Sequence, residues 1–230
     1  MGTIRTELGE ISYSVVRGKR RSISLHFQNS STLVVSVPKY SLVNIERLLD
    51  RHMKWITKQF CQMLNSKDMV REEEVLYNGS YHKIEFVPWA GRAKVTRLEN
   101  EILVESQDRM SGLRALDRFM QKSTAQIAEE MIAPKLRQTE KSISSLRFRR
   151  MRKWGYCNTD GMIKLNAYLS MLPIEIFDYV VSHEVAHLSH MNHSKRFWAV
   201  VSQLCPNYRE LRKELKRYNT NGLRSLEQRV

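Results

Sequence analysis

Apolar and polar positions alternate along the first part of the chain. Segments 11–17 (ISYSVVR), 20–28 (RRSISLHFQ) and 32–37 (TLVVSV) are rich in Val, Ile and Ser. They alternate with the period of two that marks a half-buried sheet. Gly18 and the Asn29-Ser30-Ser31 cluster supply turns, and Pro38 closes the third strand. The period then lengthens. Leu42, Ile45, Leu48, Leu49, Met53, Ile56 and Phe60 recur every three or four residues, which predicts a helix over 42–64. Short strands are predicted again around 75–77, 82–87, 93–98 and 102–105.

A longer helical pattern opens near Ser111 or Gly112. Its apolar stripe runs Leu113, Leu116, Met120, Ile127, Met131 and Ile132. Pro134 is expected to kink or end it. Ser142–Ser145 closes the segment. In 146–153, Leu146 and Phe148 alternate with Arg147 and Arg149, which predicts a basic strand. A turn at Gly161 leads into a further strand at 162–166. The chain from about 168 to 218 reads as helical, and the tail from Asn219 is polar. No internal repeat is visible. The pattern predicts an α+β fold, with a β-rich part over 1–110 and a largely helical part over 111–230.

Composition narrows the class. Of 230 residues, 42% are apolar and 27% charged, a globular balance. No run of 18 apolar residues occurs, so no membrane partner is expected. The opening MGTIRTELGE has no apolar stretch of a secretory signal. Cys61, Cys157 and Cys205 are odd in number and form no CxxC pair, which fits a reducing, cytoplasmic setting. The net charge is +14, of which +10 falls in residues 111–230. Such an excess fits a nucleic-acid or nucleotide partner, or equally a basic enzyme surface.

Four of the seven histidines fall within eleven residues, in VSHEVAHLSHMNHSKRFW. His183-Glu184-Val185-Ala186-His187 is an HExxH motif. Two histidines four apart share one helix face, so both imidazoles can reach one Zn²⁺. Glu184 then projects beside the ion, where it can take a proton from water as general base. Pro173 suits the first helical position, and Ile176, Phe177 and Val180 give the helix an apolar face. A catalytic zinc needs a third ligand and one open position. His193, six residues after His187, stands first, with His190 and Glu210 as rivals. The spacing matches HExxHxxGxxH with His190 in place of glycine, so Asn192 is the expected left-handed turn residue. Tyr156, Tyr179 and Tyr208 are candidates for stabilising an oxyanion.

The sequence resembles the YgjP-like metallopeptidase family, which is akin to SprT-type and Wss-type proteases. The resemblance runs over nearly the whole chain. It is carried by 181–198, by CPNYRELRKELK at 205–216, and by RMRKWGYCNTDGMIKLN at 150–166, where the family shows an RWGSC-like stretch and an LN strand. RGKRRSISLHF, VPKY and KWITKQF resemble the family's β-rich opening part. The resemblance implies a zincin-like catalytic core under a β-rich amino-terminal part. It places metal ligands at His183, His187 and His193 and the catalytic acid–base at Glu184. It implies a Zn²⁺-dependent hydrolase acting on protein or peptide. Tyr156 stands where the family has Ser, which bears on specificity. The family is also associated with nucleotide (UTP-type) pyrophosphate hydrolysis, for which Arg147–Lys153 would be the phosphate-binding run. No P-loop accompanies that run. A third reading is a DNA-associated protease recruited by its basic surface, with Trp154 and Tyr156 stacking on bases.

Overall fold

The computed structural model describes residues 2–28, 32–64, 69–71 and 73–218, except for the side chains of 62–64. The Asn29-Ser30-Ser31 turn and the tail from Asn219 lie outside the described residues. The chain divides into two compact units, Met1–Lys67 and Asp68–Val230. The fold is α+β: the described residues form six α-helices and three small mixed sheets. Among them no helix is long and apolar enough to cross a membrane.

The first unit holds strands β1 (Gly2–Thr6), β2 (Gly9–Gly18), β3 (Ser24–Phe27) and β4 (Thr32–Pro38). Their order is β1-β2-β4-β3, with β2 and β4 parallel and the outer pairs antiparallel. The expected helix over 42–64 is two helices, α1 (Ile45–Arg51) and α2 (Met53–Leu64), which part at His52. Asn44 caps α1 by accepting the Arg47 N–H at 3.0 Å. Ile4, Ile11, Leu33, Val35, Leu49, Ile56 and Phe60 fill the core between sheet and helices.

The second unit begins with the same arrangement. Strands β5 (Glu74–Tyr77), β6 (Ser80–Pro88), β7 (Lys94–Arg97) and β8 (Glu101–Ser106) lie in the order β5-β6-β8-β7. Again the inner pair is parallel and the outer pairs are antiparallel. Each set is followed by a helix. This repeat is invisible in the residues because the two sets share strand directions, and their side chains differ. Strands β5–β8, which the sequence pattern groups with the amino-terminal part, are covered by α3 (Arg109–Thr139) in the second unit.

Helix α3 starts from a capping box. The Asp108 carboxylate accepts the Ser111 N–H at 2.8 Å, and the Ser111 hydroxyl faces the Asp108 N–H at 3.4 Å. It runs through Pro134 and ends at Glu140, whose φ is +52°. Pro134 is tolerated because it lies on the exposed side, where water can satisfy the carbonyl it leaves unpaired. The next turn is pinned. Buried Lys135 pairs with Asp178 at 2.8 Å and donates to the Leu204 carbonyl at 3.3 Å.

The third sheet carries the site. Its strands are β9 (Ser145–Arg149), β10 (Gly155–Cys157) and β11 (Met162–Asn166), in the order β10-β11-β9. The basic strand thus ends at Arg149 and does not reach Lys153. Strand β11 is internal, paired antiparallel with β10 and parallel with β9. A 3₁₀ turn, Leu169–Met171, leads to α4 (Ile174–His187), α5 (Lys195–Leu204) and α6 (Tyr208–Leu215). Pro173 is the N-cap of α4, one place earlier than expected. The α4 residues Ile176, Phe177, Val181 and Val185 sit in the core with Ile163, Leu165 and Phe197.

Asn166 fixes the segment before β10. Its Nδ2 donates to the Met151 carbonyl at 2.7 Å and to the Lys153 carbonyl at 3.0 Å. Its Oδ1 accepts the Tyr168 N–H at 3.1 Å. Asn166 is fully buried, so its loss strands backbone groups away from water. Asn166→Ala is expected to destabilise the protein by about 2–3 kcal/mol, read from denaturant unfolding.

Candidate metal centre

Helix α4 presents His183 and His187 one turn apart on one face. The chain turns at Leu188–Ser189 and comes back to start α5 at Lys195, which brings His193 over the same face. The ligand atoms of His183, His187 and His193 all lie within 4.8 Å of one another. The Nε2 atoms of His183 and His193 are 3.2 Å apart. Two nitrogens bound tetrahedrally to one ion at about 2.0–2.1 Å would stand about 3.3–3.4 Å apart. The His183–His193 spacing therefore fits a small tetrahedral ion.

The supporting contacts orient these rings. The His190 carbonyl lies 3.1 Å from His187 Nδ1. An N–H there fixes the tautomer and leaves Nε2 as a donor to metal. His190 thus contributes its backbone, and its imidazole is not part of the three-histidine group. Glu210, in the first turn of α6, is not part of it either. Ser194 caps α5 by accepting the Phe197 N–H at 3.4 Å. The fully buried Phe197 ring lies 4.5–4.9 Å from all three imidazoles and forms the floor of the group. Trp198 stacks on His193 at 5.8 Å and on Tyr208 at 5.3 Å, with Arg212 over its ring at 4.7 Å. Neither Asn192 nor any other residue between α4 and α5 has positive φ. The turn therefore needs no left-handed residue, and a histidine can occupy the glycine's place.

The electrostatics keep the donors ready. Burial, with smaller contributions from the neighbouring imidazoles, pushes His183 down to about 3. Burial also lowers His187. Neutral imidazoles are the form that binds a metal. Burial pushes Tyr179 up to about 12; its ring meets His183 edge-on at 5.9 Å. Tyr208 is buried under Trp198, whereas Tyr156 is 42% exposed on the outer face of β10. Cys157 and Cys205 are buried and Cys61 is half-buried; none is in a disulfide.

Glu184 is 5% exposed, and burial raises its pKa to about 8 against the opposing charge of Lys153. Its Oε2 and His183 Nδ1 are the two buried side-chain polar atoms without a hydrogen-bond partner among the described residues. A buried carboxylate oxygen left unpaired beside three imidazoles is the kind of exception found at functional sites. The carboxylate is held from the other side by Gly155. A Cβ on Gly155 would fall 2.3 Å from Glu184 Oε1 and 2.5 Å from its Cγ. Only glycine leaves room for Glu184 there, a constraint that no local pattern in the sequence reveals. Beside His187 a cavity of about 400 Å³ opens, walled by Asn158–Gly161, Leu188, Ser189 and Met191.

Residues 21–218 match the family described as YgjP-like, metallopeptidase domain. The chain belongs to that family, and so to the class of metal-dependent hydrolases. No curated protein matches it. Among solved structures it is similar to the metallopeptidase zymogen abylysin of Pyrococcus abyssi, at 22% identity and a TM-score of 0.36. That alignment covers 38% of this chain and 90% of the other.

The Gly155–Glu184 contact can be measured without any assay of activity. Gly155→Ala is expected to destabilise the protein by about 1–3 kcal/mol through overpacking. In a Glu184→Ala background the same change should cost much less, because the side chain it collides with is gone. Denaturant unfolding of the four proteins gives the coupling.

Proposed function

We propose that this chain is a zinc-dependent metallopeptidase. His183, His187 and His193 hold the ion, and Glu184 is the general base. One observation carries the reading: three imidazoles converge within 4.8 Å of one another next to a buried carboxylate with an unpaired oxygen. Three nitrogen donors and an open fourth position suit Zn²⁺ and its use in catalysis.

A zinc ion held there supplies a Lewis acid that polarises a carbonyl and acidifies water. Glu184 takes the proton from the attacking water and later passes it to the leaving amine. Its raised pKa suits a group that must both accept and give up a proton near neutrality. Gly155 holds the Glu184 carboxylate in place by leaving it room. His190 orients His187 through its carbonyl, and Trp198 supports His193 by stacking.

Strand β10 lies at a sheet edge beside Glu184. The Asn166 N–H donates to the Trp154 carbonyl, and the Asn158 N–H to that of Met162. Hydrogen-bonded pairs alternate along an antiparallel ladder, so the Tyr156–Lys164 pair between them is of the same kind. The N–H and C=O groups of Gly155 and Cys157 therefore point to the open edge. An extended peptide can add there as a fourth strand, with its backbone beside the ion and the base. This edge role falls to β10, since β11 is paired on both sides. Phosphoanhydride cleavage, the competing reading, has less support. Mg²⁺-type sites use carboxylate clusters, and the three histidines are the one metal-competent group among the described residues.

Protein purified without added metal is expected to carry about one zinc per chain by elemental analysis. Glu184→Gln should keep that zinc and lose cleavage of an unfolded protein by a factor of about 10³ or more. Unchanged turnover in this variant removes Glu184 from the mechanism. Running the same pair on nucleoside triphosphates separates the two bond types.

The ligand assignment is tested by zinc titration. His193→Ala should weaken binding by orders of magnitude, whereas His190→Ala should leave it within a few-fold. The reverse result exchanges the two residues.

A further inference from the structure

We propose that the outward face of β10–β11–β9 is the specificity surface of this site, and that it selects peptides with acidic side chains beside the scissile bond. This rests on the peptidase reading above.

The strand registers build the surface. Tyr156 pairs with Lys164, and Lys164 with Arg147, so the three form one row across the sheet. Side chains alternate along strands, so this row faces opposite to Gly155, Cys157, Ile163 and Leu165. Those residues turn inward towards Glu184 and the core. The Tyr156 ring is flanked by two ammonium groups: Lys164 Nζ is 5.6 Å from its centroid and Lys153 Nζ 5.9 Å. Arg147 and Arg149 extend the positive field along β9, and both are exposed.

No acidic residue occurs between 145 and 157. Arg150, in the same run, pairs with Asp117 on α3. Arg147, Arg149, Lys153 and Lys164 form no ion pair among the described residues, and Lys153 feels the charge of Glu184 only from a distance. Four cations gathered on one face without an ion-paired counter-charge repel one another, and an anionic ligand relieves that repulsion.

The position of this field identifies what it meets. Lys153 precedes by two residues the glycine against which Glu184 packs. A peptide added to the open edge of β10 runs about 4.8 Å from it and sends alternate side chains to the face of Tyr156. A carboxylate on such a residue comes within reach of Lys153 and, across the ring, of Lys164. The ring itself gives a flat apolar wall for the stem of a Glu side chain.

A single-stranded nucleic acid is the other polyanion of this charge. It is disfavoured because this face offers one exposed aromatic, where such binding uses successive stacking rings. The unpaired backbone groups of Gly155 and Cys157 also match a peptide.

The experiment uses the zinc-loaded full chain and a library of unfolded peptides, with cleavage sites read by mass spectrometry. Sites should be enriched in Asp and Glu within two residues of the cut. For matched peptides with Glu or Lys at that place, kcat/KM should differ by about tenfold at low salt and converge at high salt. In Lys153→Glu/Lys164→Glu the ratio should invert. A general loss of activity leaves that ratio unmoved, so it is diagnostic. Cleavage with no acidic preference, or an unchanged ratio in the variant, overturns the proposal.

A second measurement does not need turnover. Fluorescence anisotropy with zinc-loaded Glu184→Gln should show tighter binding of the Glu peptide than of the Lys peptide. If that preference is present and no peptide is cleaved by wild type, the peptidase reading fails and the surface stands. If the preference is absent, the surface assignment fails. A single-stranded oligonucleotide whose binding is lost in the lysine variant, with no peptide preference, assigns the face to nucleic acid and also overturns it.

Discussion

A carboxylic acid sits inside the second unit with one oxygen unpaired, and much of the surrounding structure serves to keep it there. Burying such a group costs several kcal/mol when no partner offsets the loss of water. Glu184 bears that cost on a helix whose other inward residues, Phe177, Val181 and Val185, anchor it in the core. The side chain cannot swing away, because the backbone of β10 closes over it at Gly155. The sheet strand and the helix are thus fixed against each other by a contact in which one partner has no side chain. A cation at the three imidazoles is the natural counter-charge for that carboxylate.

The histidines depend on the same helix but are supported differently. Two of them are set by helical geometry alone. The third comes from a turn, and its position rests on the cap of α5, the Phe197 floor and the Trp198 stack. Arg212 on α6 completes the layer by lying over Trp198. Distant residues therefore bear on the ion site through a ring stack. Asn166, Tyr168 and Asp117 form the corresponding support on the sheet side. Asn166 holds the segment that leads into β10, and the Tyr168 hydroxyl and Arg150 both meet Asp117 on α3.

The convergence of the three histidines was legible in the sequence because they are close along the chain. A spacing of four within a helix is a geometric statement, and His193 is six residues further on. Gly155 was not legible as a constraint on Glu184. Twenty-nine positions separate the two, and a missing side chain leaves no pattern. Helical periodicity located α3, and the helix does not end at Pro134, since the rule for proline omits which side of the helix faces water. Strand segments were recognisable one by one, yet their pairing was not. The parallel pairs β2–β4 and β6–β8 join strands that are not neighbours in sequence, and the repeated four-strand order emerges only from those pairs. The compact division at residue 67 follows from the same cause, since β5–β8 belong with α3 through contacts that composition does not record.

The contact between Gly155 and Glu184 also has an evolutionary consequence. The two positions cannot drift independently. While the acid is kept, any side chain at 155 displaces it; once the acid is lost, that restriction disappears. A descendant that retained the fold and the three histidines but lost the acid would thus be free to fill position 155. The state of that one glycine would then serve as a record of whether the lineage still keeps its glutamate.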